Sequence, residues 1–446
     1  MSVARNRLVQ LRSEALDDLR QGEAGWIGRL RDEAFASFLE QDFPTRRLEN
    51  WKSTSLAALE AIDFDRIGHS DDNPVVVTGD GKPELRFVDG HLETTNASAE
   101  NLPPGVRLIS LAEARRQAPE LLEGRLGELA SPKEHAMVAL QTAFLDDGAV
   151  LSIDADVELK SPIKLSFSTS SDSSSAPDAA FPRLLVISGE RSRATIMIEH
   201  DSDAPGLTAL VAEFFLAPGA RLESIQLQNE GSERIHFTSM HAKLERDAKF
   251  YSHVFSLSPG LIRSEMDIRL TEPGAETQLR GFYLGRGAGH VDHFTTVDHA
   301  AESCTSDELY RGVLGDRSYG VFRGRVIVRP GAQKSDVRQS NPNLLVSERA
   351  RVDSKPQLEI YANDIRATHG STTGQLDPNA LFFLRARGID RHAAQLLLTR
   401  AFAHEIVDGI ENKELHEAVS SQVDLALATL NPNAPNAPEG SEGATG

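Results

Sequence analysis

The chain has 446 residues, 40% hydrophobic and 25% charged, and a formal net charge of −19. That length supports two or three domains with a sizeable core. The acidic balance, with no basic patch to offset it, repels phosphate backbones and anionic lipid, which argues against nucleic-acid and membrane partners. The single cysteine, Cys304, excludes an internal disulfide and any metal site built from several thiolates of this chain, and it reads as a small core residue.

The N-terminal stretch "MSVARNRLVQLRSEALDD" has no uninterrupted apolar core of the secretory kind. No later segment approaches the run of about 18 apolar residues that a membrane span needs. The expected location is the cytoplasm. Residues 1 to about 60 carry apolar positions at mixed three and four spacings (Leu8, Leu11, Leu19, Trp26, Ile27, Leu30, Phe35, Phe38), which predicts helix, broken at Pro44. Short strands ("PVVVTG", "ELRFVDG") and a helix-like "LAEARRQAPELLEGRL" follow, so 1–130 reads as a helical and mixed N-terminal domain.

The segment 131–372 differs. Its apolar runs are short, alternating and rich in β-branched residues ("RATIMIEH", "LESIQLQN", "KFYSHVFSL", "VFRGRVIVRPG") with no long helical pattern between them. "STSSDSSSAPDAA" reads as an exposed loop. A turn, an alanine and an alternating strand recur at Ala194, Ala220, Ala248, Ala275, Ala332 and Ala350, and the gap from Ala275 to Ala332 is about twice the period. Such spacing predicts a β-helix, a stacked-strand solenoid in which successive coils share one core. A β-sandwich with similar turns by chance is the competing reading.

The segment 373–430 is helical again. Asp377 is placed to cap a helix with Pro378 at its first position, Gly388 to end it, and Asp390 to open a second helix with Ala394, Leu397, Leu398, Ala401, Phe402, Glu405 and Ile406 near one face. The Pro- and Asn-rich tail 431–446 is expected to be disordered.

Three groups of residues carry chemistry worth weighing. "GHVDHFTTVDHA" holds His290, Asp292, His293, Asp298 and His299. On a strand, His290, Asp292 and Asp298 share one side and His293 and His299 the other, so hydrogen-bonded polar ladders compete with a partial metal site. Carboxylates such as Glu265 and Asp267 are the kind a polysaccharide-cleaving β-helix enzyme pairs. His369, in "YANDIRATHGSTTGQLD", lies among small and hydroxylated residues where strand gives way to helix; it reads either as a turn residue or as a ligand. No phosphate loop of the GxxxxGK[ST] type is present, and the glycine-rich "GRGAGH" lacks the helix a dinucleotide site needs.

Taken together, "PTRRLENWKST" (44–54), "SDELYRGVLGDRSYGVFRGRVIVRPGAQKSD" (306–336), "NPNLLVSE" (341–348), "KPQLEIYANDIRATHGSTTGQLD" (355–377) and "LFFLRARGI" (381–389) resemble the SufB/SufD family of iron–sulfur cluster assembly proteins, and the early motif looks like the SufD branch. The resemblance implies a mainly β fold, a right-handed parallel β-helix between helical N- and C-terminal regions. It implies a non-catalytic scaffold subunit that pairs with a SufB-like chain through its strand-rich core and binds a SufC-like ATPase through its C-terminal helices. No cofactor is held permanently; a transient iron–sulfur cluster is shared with the SufB-like partner, and a reduced flavin in the complex stays open, as does monomer or homodimer for the isolated chain. The family's functional histidine falls on His369, making it the expected cluster and iron ligand, with Ala367 where relatives often carry cysteine. Two alternatives of other classes are a carbohydrate-active β-helix enzyme and a metal-dependent hydrolase centred on His290, Asp292 and His299.

Overall fold

A computed structural model of the chain describes residues 2–19, 25–68, 75–76, 83–95, 102–170 and 175–430. The 431–446 tail and most of "PVVVTG" lie outside the described residues. From Gly148 to Gly374 the backbone winds as a β-solenoid of about seven turns. It alternates between two sheets. The first contains Gly148–Ile153, Arg183–Ser188, Gly206–Leu216, Arg234–Leu244, Leu261–Leu270, His290–His299, Tyr319–Val328 and Arg351–Ile360. The second contains Ile163–Ser168, Arg193–Asp201, Arg221–Gln228, Lys249–Ser256, Glu276–Gly285, Thr305–Leu314, Ser335–Leu345 and Ile365–Gly374. Every pairing between successive coils is parallel.

One column of the second sheet runs Arg193, Arg221, Lys249, Glu276, Thr305 and Asp336, so successive coils advance by 28, 28, 27, 29 and 31 residues. The corner before that column explains the repeat. Arg191, Gly219, Asp247, Gly274, Ser303 and Lys334 all take positive φ, between 54° and 79°. Each donates its N–H to a carbonyl of the next coil. A small buried residue follows each: Ser192, Ala220, Ala248, Ala275, Cys304 and Ser335. Left-handed backbone turns the chain sharply, and a small side chain is what the inside of so tight a corner admits. Ala220, Ala248 and Ala275 therefore belong to one column, and Cys304 fills the doubled gap. Ala194 lies two residues beyond the corner, Ala332 three residues before Ser335, and Ala350 at the opposite corner, before Arg351–Ile360. Cys304 is a core residue as expected, fully buried, its thiol donating to the Glu272 carbonyl at 3.4 Å.

Toward the N-terminal end each sheet gains an antiparallel pair, and Val75–Val76 adds a short parallel edge to the second. Val106–Ser110 pairs with Gly148–Ile153, and the hairpin Glu84–Val88/His91–Thr95 extends the second sheet. That hairpin turns at Asp89 and Gly90, both at positive φ, the residue pair a type I′ turn demands. The predicted helical region is two long helices, Val3–Leu19 and Gly25–Gln41, followed by a 3₁₀ turn Glu49–Trp51 and the short helix Ala57–Glu60. Leu8, Leu11 and Phe38 join Trp51, Leu56 and Phe64 in a core against the outer face of the first sheet at Leu207, Ala209, Ile235 and Phe237. "STSSDSSSAPDAA" is only partly a loop: 171–174 lie outside the described residues, but Asp178–Ala180 is a buried strand pairing with Gly206–Leu216. Within this strand the buried Asp178 carboxylate meets a buried cation, Arg234, at 2.8 Å.

Three helices follow the last strand: Pro378–Arg385, Arg391–Val407 and Lys413–Ala428. The capping expectations hold. Asp377 accepts the Asn379 N–H at 2.9 Å, Asp390 those of His392 and Ala393 at 2.9 and 3.0 Å, and Gly388 has φ +87°. The second and third helices lie along the outer flank of the second sheet, joining Ala403, Ile406, Val407, Val419 and Val423 to Ile225, Phe255, Phe282 and Val313. They do not cover the solenoid's end. The buried face of Arg391–Val407 is Ala394, Thr399, Ala403, Ile406 and Val407, whereas Leu397, Ala401 and Glu405 of the expected face are exposed. That helix has apolar residues on all sides, so periodicity alone does not select the face the sheet buries.

Candidate functional site

His369 is not in a turn. It is the fifth residue of Ile365–Gly374, the last strand of the second sheet, in register with Gln339. The parallel ladder to Ser335–Leu345 holds the backbone extended, and Gly370 and Gly374 do not use left-handed angles. The column leading to His369 is Leu279, Glu308, Gln339 and His369. Column neighbours in a parallel sheet point to the same side. Leu279, Glu308 and Gln339 are buried between the sheets, so His369 continues the lumen-facing column at the point where the solenoid ends and is itself exposed. Behind it, Gln339 Nε2 donates to Glu308 Oε1 at 3.2 Å and Thr295 Oγ1 donates to Glu308 Oε2 at 2.6 Å. Burial pushes the Glu308 carboxyl up to about 7.

The C-terminal end of the solenoid is open. No residue of Ile365–Gly374 is buried, and Arg351–Ile360 is exposed or half-buried throughout. Among the described residues, both strands have a partner on one side only. In the second sheet the N–H groups of Arg221, Lys249, Glu276, Thr305 and Asp336 all point to the preceding coil. Parallel ladders alternate direction residue by residue, so Ala367, His369, Ser371 and Thr373 present theirs to the open edge. Ile360 and Tyr361 are 41% and 60% exposed beside this edge. The helix Pro378–Arg385 next to it has no buried residue and carries Phe382 and Phe383 at 74% and 55% exposure.

The 290–299 group divides as the alternation predicts. His293 and His299 point into the lumen: His293 lies between Tyr283 and Tyr310 at 5.3 and 5.2 Å, and His299 Nε2 meets Ser306 Oγ at 2.8 Å. Burial brings each of these imidazoles down to about 4. On the outer side, Thr54 bonds His290 Nε2 at 2.9 Å and donates to Asp292, which also takes Arg263. Asp298 is bidentate with Arg329 at 2.9 and 3.0 Å. This is how "PTRRLENWKST" docks: Trp51 lies 3.8 Å under the Arg263 guanidinium and Thr54 ties the helical region to the solenoid wall. Among the described residues, no three ligand-type side chains converge at 290–299. Glu265 is bound to Arg263 at 2.6 Å and Asp267 faces Arg269 at 3.5 Å, so neither carboxylate is presented to a substrate as a free pair.

Two family models match the chain: the SufBD core domain of SUF-system FeS cluster assembly over 168–402, and the SufBD N-terminal region over 2–78 and 82–165. The chain belongs to the SufBD family. Within that family it is similar to an iron–sulfur cluster assembly SufBD family protein of Synechocystis, 28% identical over 88% of this chain and 86% of the relative. It is also similar to the iron–sulfur cluster assembly protein SufD of Escherichia coli, 27% identical over 86% of this chain and 89% of the relative, and to SufD of Bacillus subtilis, 23% identical over 90% and 94%. As a SufBD-family protein the chain is an iron–sulfur cluster assembly scaffold built on a β-solenoid. No helix among its described residues is long and apolar enough to cross a membrane.

Proposed function

We propose that this chain is the SufD-type, non-catalytic subunit of a cytoplasmic cluster-assembly complex, and that its open solenoid end pairs edge to edge with a SufB-like chain. The observation that carries the reading is the placement of His369 on that end: it is an exposed imidazole at the mouth of the lumen, on a strand with unpaired N–H groups. A second parallel solenoid end would extend both sheets and enclose His369 between two chains. Neutral imidazole can then ligate iron of a cluster that is cargo and not a resident group. The other ligands come from the partner, because Cys304 is buried at a coil corner and Ala367 supplies no thiol. The exposed Phe382 and Phe383 supply an apolar anchor for a SufC-like ATPase, in which ATP hydrolysis resides.

Co-expression with SufB-like and SufC-like chains, followed by affinity capture and anaerobic cluster assembly, tests this. His369→Ala is expected to leave folding stability within about 0.5 kcal/mol, since the side chain is exposed, and to leave the complex intact while cluster formation falls. Unaltered cluster formation by an intact complex carrying the variant overturns the ligand role. A chain that forms no complex with either partner overturns the subunit reading.

A further inference from the structure

A separate group of side chains converges inside the solenoid, far along the chain from His369. His200 lies near the end of Arg193–Asp201, Glu230 in the turn after Arg221–Gln228, and His236 near the start of Arg234–Leu244. The group therefore bridges the second sheet to the first at one corner. All three are buried, at 1%, 4% and 1% exposure, and one ligand atom from each lies within 4.8 Å of the others.

His200 is the informative member. Its ring stacks on Phe167 at 5.2 Å and meets His236 edge-on at 4.6 Å, yet neither ring nitrogen has a hydrogen-bond partner. An imidazole taken fully out of water with both nitrogens unpaired loses its hydration with nothing in return. The other two are already held. Glu230 Oε2 sits 2.6 Å from His236 Nδ1, Thr208 Oγ1 donates to Glu230 Oε1 at 2.8 Å, and Thr238 Oγ1 lies 2.6 Å from His236 Nε2. Arg234, 3.6 Å from Glu230, is balanced by Asp178 at 2.8 Å. Such outer bonds orient metal ligands in built sites.

We propose that His200, Glu230 and His236 bind one divalent transition-metal ion inside the solenoid, with water completing the coordination. Two imidazoles and a carboxylate are donors that zinc-class ions accept. Ligands at about 2.0–2.1 Å from a tetrahedral ion lie about 3.4 Å apart, so small side-chain rotations close the observed spacing. Protonation already suits the site. Burial brings His200 down to about 3, leaving it neutral, while for Glu230 the cost of burial is outweighed by His236, holding the carboxylate at about 2. On loading, the ion takes the place of the proton between Glu230 Oε2 and His236 Nδ1. That proton leaves to solvent or, for a neutral ring, moves to His236 Nε2 facing Thr238. Nothing is oxidised or reduced. The ion would clasp the two sheets across the corner.

Because the site is enclosed, metal is best supplied as the chain folds. The full-length chain purified from cobalt-supplemented cultures is expected to retain one Co(II) per chain through gel filtration, with the visible absorption of low-coordinate cobalt, and zinc-supplemented cultures to give one Zn(II). His200→Ala and the shape-filling His200→Phe should each lose that equivalent, Glu230→Gln should cut occupancy at least tenfold, and His369→Ala should retain it. Wild-type chain without a stoichiometric ion overturns the site, as does unchanged occupancy in a folded His200 variant. Because the wild-type stoichiometry stands alone, failure of a variant to fold leaves the test intact, and neither result bears on the cluster reading for His369.

Discussion

At its N-terminal end the solenoid is extended by strands that pair antiparallel; at its C-terminal end it stops on two parallel strands with one neighbour each among the described residues. The contrast is visible residue by residue. In Gly206–Leu216 every residue but Phe215 is buried, whereas Ile365–Gly374 buries none. A solenoid coil contacts only the coils beside it, so each end must be capped or must find a partner. The strands of residues 84–110 cap one end, while the N-terminal helices lie on the outer face of the first sheet and the C-terminal helices on the flank of the second, leaving the other end uncovered among the described residues. An unprotected edge is a hazard in a monomer and an interface in a complex.

The largest test of the contrast is at the closed end. Glu213 and Arg183 form an ion pair at 0% exposure, and Glu213 also accepts the Gly127, Leu129 and Ala130 N–H groups, tying the N-terminal region to the solenoid. Glu213→Gln leaves a buried guanidinium without its counter-charge and should cost about 3–5 kcal/mol, read as a lower urea midpoint. An unchanged midpoint would show that the cap holds without this pair.

Next is Glu308, behind the open end. Its folded pKa, about 7, lies above the unfolded value near 4.5. Between those values the unfolded chain releases the proton and the folded chain keeps it, so this group lowers stability as pH rises from about 4.5 to 7. The full effect is roughly 3 kcal/mol. The stability difference between Glu308→Gln and wild type should therefore shift in favour of the variant across that window. A pH-independent difference sinks the assignment.

Smaller effects are expected at the exposed surfaces, on binding and not on folding. Phe382→Ser with Phe383→Ser should weaken ATPase capture by about 2 kcal/mol, about thirty-fold, with the unfolding midpoint unmoved. At the edge itself, Ser371→Pro removes an N–H that faces outward, so folding should change by about 0.5 kcal/mol or less while pairing with the scaffold chain is lost. If pairing survives the proline, the contact is made by side chains or elsewhere and the two ends differ less in purpose than in exposure.

How much could be read in advance depended on the range of the physics. The corner column was legible at Ala220, Ala248 and Ala275 because a left-handed residue followed by a small one is a local requirement. Ser192, Cys304 and Ser335 meet the same requirement with other residue types, which hid half the column from a pattern keyed to alanine. The helix caps at Asp377 and Asp390 were legible for the same reason. His369 was singled out by its motif but misplaced in a turn, since neighbouring small residues do not reveal that Ser335–Leu345 pairs alongside. His200, Glu230 and His236 gave no signal: they are 30 and 6 residues apart, and only coil stacking brings them together.

By itself the sequence determined the family, the repeating coil, the helical flanks and the side-chain alternation that separates His290, Asp292 and Asp298 from His293 and His299. These follow from spacing along one strand or one turn, where covalent geometry sets the answer. The tertiary structure alone decided which face of Arg391–Val407 is buried, which polar side chains meet in the lumen, and that the last strands lack a neighbour. Those depend on residues about 28 positions apart arriving side by side, and on where the stacking stops, which no local period encodes.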